Sequence, residues 1–91
     1  YILEQNYPNP FNPQTTLPFS LDRAARVSLN IYDLHGRLLR SFGNAVFPAG
    51  RFIIEWDGCD AASQPMPSGV YFYVLELNGQ RVAFQKMILI R

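Results

Sequence analysis

Residues 69–91 read GVYFYVLELNGQRVAFQKMILIR. Two runs of aromatic and β-branched side chains flank Asn78-Gly79, the dipeptide that best accepts the two positive φ angles of a tight hairpin turn. Val70–Leu77 therefore reads as a strand with central-sheet composition, and Gln80–Ile90 as its returning partner, bent once in the middle. Tyr71, Tyr73, Leu75 and Leu77 share one face of the first strand. Val70, Phe72 and Val74 share the other. A half-solvated strand is polar outside, so an apolar second face points to a contact with a neighbouring domain or a receptor.

The same period of two extends upstream. Arg51–Trp56 places Phe52, Ile54 and Trp56 together, and Val27, Leu29 and Ile31 alternate with Ser28, Asn30 and Tyr32. Asp33-Leu34-His35-Gly36 reads as a turn, returned by Leu38–Phe42, with a loop over Gly43–Gly50. Thr15–Leu21 is a strand in which Pro18 lacks a donor, which places it at a sheet edge. Asp57–Ser68 is a turn-rich loop, and the only helical candidate, Leu21–Arg26, is a connection. Residues 1–14 contain Pro8, Pro10 and Pro13 and read as an extended lead-in pinned by Tyr7 and Phe11 to a domain spanning residues 15–91. The chain is thus all-β, a single antiparallel sandwich of about seven strands. Inward-facing positions are Val27, Leu29, Ile31, Phe52, Ile54, Trp56, Tyr71, Tyr73 and Leu75.

Composition narrows the function. In 91 residues, 48% hydrophobic and 16% charged, eight Lys/Arg face seven Asp/Glu for a net charge of +1. No basic patch is offered to a phosphate backbone, so nucleic acid is not an expected partner. The longest apolar run, Val70–Leu75, is far short of a bilayer span, so membrane insertion is not expected either. Cys59 is alone and excludes an internal disulfide. A chain that begins at Tyr1 is expected to be a segment of a longer one.

Each chemically suggestive residue has a simpler reading. His35 has Asp33 nearby, but two residues of one tight turn do not make the concave, dry site that general-base catalysis needs. Cys59 has no cation or second histidine to activate it. Glu55, Asp57 and Asp60 cluster but lack calcium-loop spacing; turn chemistry is the simpler reading, with the Asp57 carboxylate before Gly58 capping backbone N–H groups. Trp56, Tyr71 and Tyr73 would stack on sugar rings if exposed, yet they fall in phase with core positions. No catalytic residue, metal site or cofactor is expected.

LEQNYPNPFNPQTTLPFSL (Leu3–Leu21), VSLNIYDLHGRLLRSF (Val27–Phe42), PAGRFIIEWDGCDAASQPMPSGVYFYVLEL (Pro48–Leu77) and QKMILIR (Gln85–Arg91) follow one another in an order that resembles the C-terminal sorting domains of the type IX secretion system. The pattern also resembles the immunoglobulin-like domain of the flagellar hook-capping protein. The resemblance implies an immunoglobulin-like or fibronectin III-like sandwich without catalysis. It implies a signal that carries upstream cargo of the same chain from the periplasm, through the outer-membrane secretion machinery, to the cell surface or medium. Carried over by position, Lys86, Met87, Leu89 and Arg91 match the terminal basic-and-apolar motif, and Gly69, Val70 and Tyr71 match an element before it. Met87 and Arg91 stand where many members have Leu and Lys, exchanges that keep volume and charge. A structural domain of the hook-cap type and an accessory carbohydrate-binding module are the alternatives.

Overall fold

Alternating side chains build seven strands in the computed structural model, which describes residues 1–91. They are β1 (Ile2–Leu3), β2 (Thr15–Leu21), β3 (Ala25–Tyr32), β4 (Leu38–Phe47), β5 (Gly50–Trp56), β6 (Gly69–Leu77) and β7 (Gln80–Leu89). Every pairing between these strands is antiparallel, in a three-stranded sheet of order β1-β2-β5 and a four-stranded sheet of order β4-β3-β6-β7. The architecture is an immunoglobulin-like β-sandwich with no helix.

The core is the sum of the inward faces. Leu17, Phe19 and Leu21 of β2 meet Val27, Leu29 and Ile31 of β3, and Tyr71, Tyr73 and Leu75 of β6. Phe52 and Ile54 keep their inward phase but stay half-buried, because β5 is an edge strand with no neighbour beyond it. Aromatic pairs tie the sheets together in the tilted and edge-on geometries that ring quadrupoles prefer. Trp56 of β5 lies 5.5 Å from Tyr71 of β6, and Phe47 of β4 lies 5.0 Å from Phe52 of β5. Buried polar tips all find acceptors. The Trp56 indole N–H donates to the Cys59 carbonyl at 2.7 Å, and the Tyr73 hydroxyl donates to the Glu4 carbonyl at 2.6 Å. Burial pushes the Tyr73 phenol far above its usual range, so it stays a donor.

Three expectations are corrected. First, Gly43–Gly50 is not a loop: β4 runs on to Phe47, leaving Pro48 and Ala49 as the connection to β5. Gly43 and Asn44 take φ values of +92° and +69°, and the ladder passes from Ser28↔Gly43 to Val27↔Ala45. Asn44 is the extra residue of a bulge, which bends a strand without ending it. Second, Pro18 does not mark an outer edge. β2 pairs with β5 along its whole length and with β1 at Phe19 and Ser20. The Pro18 carbonyl accepts the Glu4 N–H at 3.0 Å, so its donorless nitrogen faces the short partner, where least is lost.

Third, residues 1–14 are part of the packed sandwich and not a lead-in outside it. Leu3, Asn6 and Phe11 are buried. Tyr7 holds on through its backbone, exchanging N–H···O bonds with Thr16 at 3.0 and 2.9 Å, while its side chain stays about half exposed. The Asn6 amide donates to the Thr15 hydroxyl at 3.0 Å and the Pro8 carbonyl at 3.2 Å, fixing the turn from inside. Pro8, Pro10 and Pro13 exclude regular structure, which is why the segment reads as a lead-in. Extended backbone still packs where single side chains reach inward, as Leu3, Asn6 and Phe11 do, and Phe11 is the pin that its sequence suggests.

Phe11 lies 5.7 Å from Trp56 and is fully enclosed. Phe11→Ala is therefore expected to cost about 3–4 kcal/mol in urea unfolding, the cost of a buried phenylalanine and its cavity. Gly43→Ala would set a methyl 2.8 Å from the Val27 carbonyl oxygen at a positive φ. Its melting temperature should fall by roughly 5–10 °C, whereas Gly79→Ala, with open space around it, should lose less.

Candidate functional site

The residues singled out near positions 70 and 90 form one ladder, and a register slip decides where each side chain points. Asn78 and Gly79 take φ values of +53° and +83°, and pair Leu77 with Gln80 and Glu76 with Arg81. Between Glu76 and Leu75 the register shifts, so Leu75 faces Ala83 and Val82 is left over. Every later pair moves by one: Tyr71 faces Met87, Val70 faces Ile88 and Gly69 faces Leu89. Without the slip, Tyr71 would face Lys86 and the ammonium would point at the core.

The candidate motif is thereby divided. Met87, Leu89 and Tyr71 are buried core residues, and Gly69 and Val70 are half-buried. Lys86 is exposed, and no carboxylate lies within ion-pair distance of it. Arg91, in contrast, is held within the molecule. Its Nη2 donates to the Gly58 carbonyl at 2.9 Å, its Nε donates to the Met66 carbonyl, and its backbone N–H donates to the Ser68 hydroxyl at 2.9 Å. A side chain at Gly58 would sit 2.9 Å from Arg91 Nη2 and 2.9 Å from the Pro13 carbonyl. Glycine at that position lets the guanidinium clasp the 57–68 loop.

Sequence reading missed what covers the outer edge of β7. The Tyr1 hydroxyl donates to the Val82 carbonyl at 3.0 Å, and the Gln5 amide donates to the Lys86 carbonyl at 2.7 Å. Asn9 Oδ1 accepts the Ile88 N–H at 3.0 Å, and Phe11 exchanges backbone bonds with Ile88 and Ile90 at 3.0 and 2.9 Å. A bare strand edge is a template for unwanted pairing, and here the chain's own first residues occupy it. The only available signal was a set of side chains able to bond backbone; nothing local says that they reach a strand some 80 residues away.

The outer face of the four-stranded sheet is split in two. On the β3–β4 side, Asn30 accepts from the Ser41 hydroxyl at 2.6 Å and donates to Glu76 at 3.0 Å. On the β6–β7 side, Phe72 and Val74 floor an apolar groove of about 490 Å³, with Leu34 and Phe84 on its walls, 64% and 69% exposed. Arg81 lies over the Tyr32 ring, 5.5 Å from its centroid, at the boundary.

The other chemical candidates are engaged in turns. Asp33 accepts the backbone N–H groups of Arg37 and His35 at 3.0 and 2.8 Å and the Arg37 Nε–H at 2.8 Å. Those bonds, the Arg37 N–H first, hold its carboxyl below the usual range. His35 is an exposed turn residue. Asp57 caps the Cys59 N–H at 3.0 Å, and Asp60 caps those of Ala62 and Gln64, both at 2.9 Å. Glu55 accepts from the Gln14 amide at 2.7 Å, away from them. Trp56, Tyr71 and Tyr73 are buried, so they offer no stacking platform to a sugar.

Two expected outcomes follow from these contacts. Lys86→Ala should leave the urea midpoint nearly unchanged, whereas Arg91→Ala should cost about 1–3 kcal/mol, as loss of charge-assisted bonds does. Because the folded-state carboxyl of Asp33 is depressed, its stabilisation is present above the unfolded carboxylate value of about 4 and is lost as pH falls through the folded value. The gap in melting temperature between the parent and Asp33→Asn should therefore be full at pH 7 and narrow progressively in acid.

Among curated proteins none matches the chain. Among solved structures, dimeric latent PorU from Porphyromonas gingivalis superposes with a TM-score of 0.74 at 23% identity, over 97% of this chain and 9% of that one. PorZ, described as an essential bacterial surface component of the type-IX secretion system of the same organism, superposes with a TM-score of 0.66 at 23% identity, over 96% and 11%. The chain thus spans about a tenth of the length of either protein, and at this identity the likeness is one of fold. A family model described as the FlgD Ig-like domain matches residues 9–80, a span that begins within the segment covering β7 and ends just past the Asn78-Gly79 turn. On that match, the chain belongs to the family of FlgD Ig-like domains.

Proposed function

We propose that this domain is a secretion-sorting signal that directs an upstream cargo of the same chain across the bacterial outer membrane through type IX secretion. The main support for this reading is the order of motifs from Leu3 to Arg91, which resembles that of the sorting domains; the superposition of nearly the whole chain on a segment of a type IX surface component is consistent with it. The physical build suits a tag. The first and last segments of the chain are zipped together by hydrogen bonds, so the unit closes on itself without a disulfide. Its terminal strand leaves one unpaired cation, Lys86, for a receptor to read. In this reading the domain does no catalysis and takes no cofactor; its partners are the secretion machinery and the cargo, and its route runs from periplasm to cell surface or medium.

Membership in the FlgD Ig-like family favours a second reading, a structural domain of the hook-cap type that acts by packing and stays attached. The two differ in what residues 1–91 do when moved to a new protein. Fused behind a periplasm-directed fluorescent protein in a host with type IX secretion, the sorting domain should bring the passenger to the surface or medium. A folded fusion that stays in the periplasm sinks the sorting reading and leaves the structural one. Lys86→Ala is the informative variant, since Arg91→Ala also loosens the 57–68 loop. Export that falls severalfold while the melting temperature holds would assign recognition to the Lys86 charge.

A further inference from the structure

From the apolar half of the outer sheet face, we infer a docking site for a partner protein segment that presents apolar side chains beside a carboxylate. The inference goes beyond the sorting reading and holds equally for a structural domain. Phe72, Val74, Leu34 and Phe84 line one continuous groove of about 490 Å³, room for a few side chains. Phe84 and Leu34 are 69% and 64% exposed, an arrangement that costs solvation free energy unless something covers it.

Charge fixes the kind of occupant. Around the groove, Asp33 is matched by Arg37 at 2.8 Å and Glu76 by Arg81 at 4.0 Å. Lys86 is left over. It stands opposite Phe72 in the ladder and two residues from Phe84 along β7, and so shares their face. The groove is therefore mainly apolar, with one unbalanced cation beside it on the same sheet face. A complementary segment places its carboxylate roughly 7 Å, one side-chain repeat of a strand, from the apolar group that meets Phe84. Nucleic acid does not fit, since a phosphate backbone needs several cations and no apolar floor. Addition of a strand to the β7 edge does not fit either, because the Tyr1–Phe11 segment already occupies it. The occupant lies on the face.

The test uses the isolated 91-residue chain and two capped pentapeptides, Glu-Val-Phe-Val-Glu and Lys-Val-Phe-Val-Lys, followed by NMR titration. The acidic peptide should move the amide signals of Phe72, Val74, Phe84 and Lys86, and the basic peptide should bind about three- to fivefold more weakly, the scale of one exposed charge pair. Phe84→Ser should weaken the acidic peptide about tenfold or more, as loss of a buried aromatic contact does. Lys86→Glu should reverse the peptide preference. Both positions are exposed, so both variants should melt like the parent. Equal binding of the two peptides, or shifts confined to other surfaces, would overturn the inference. So would concentration-dependent shifts of this face without peptide, which would give it to a second copy of the chain.

Discussion

One extra residue in β7 governs the rest of the molecule. Because side chains alternate with a period of two, Val82 standing unpaired beside Leu75 turns every later residue of the strand over. The slip puts Met87 and Leu89 under the aromatic cluster of Phe11, Trp56 and Tyr71. The same slip puts Phe84 and Lys86 on the outside. A ladder continuing directly from the Asn78-Gly79 turn would bury the ammonium without a partner, at a cost of several kcal/mol even after relaxation. Core composition and the chemistry of the outer face are thus one choice.

The closure of the sandwich depends on that choice. Once the odd-numbered residues of β7 bond to β6, the even-numbered residues turn their backbone groups to the free edge. The segment from Tyr1 to Phe11 satisfies Val82, Lys86, Ile88 and Ile90 there, partly through side chains and partly through Phe11 backbone. Arg91 closes the same end from the other side by holding the Gly58 and Met66 carbonyls. The chain begins and ends in one hydrogen-bonded seam, which explains how a domain of this size holds together without a disulfide. Within the last six residues, the two cations have different physical fates: Arg91 is part of the seam, and Lys86 is exposed and unpaired.

Much of this was legible in the residues. Alternation in Val27–Ile31 and Tyr71–Leu75 gave the buried faces, because in a two-sheet sandwich the apolar phase has only one place to go. Asn78-Gly79 gave the hairpin, because few dipeptides accept two positive φ angles. The turn at Asp33–Gly36 and the capping role of Asp57 were legible because they act within four residues of themselves. The apolar second face of β6 was visible as well, though not its wall of Phe84 and Leu34, which depends on the slip and on a turn packing beside it.

Tertiary structure alone decided the remainder, wherever the determining partner is far away along the chain. Pro18 reads as an edge marker, but its place was set by Glu4 meeting its carbonyl. Gly43 reads as a loop, but the Val27 carbonyl beside it makes it a bulge inside a continuous strand. The prolines of residues 8–13 read as a lead-in pinned by Phe11, but only the fold decides that Phe11 meets Trp56 and Asn9 meets Ile88. Local sequence carries φ preferences and the phase of apolar side chains, which act over one to four residues. Register, edge cover and the engagement of a charge are set by hydrogen-bond and packing partners brought close only when the whole chain has folded.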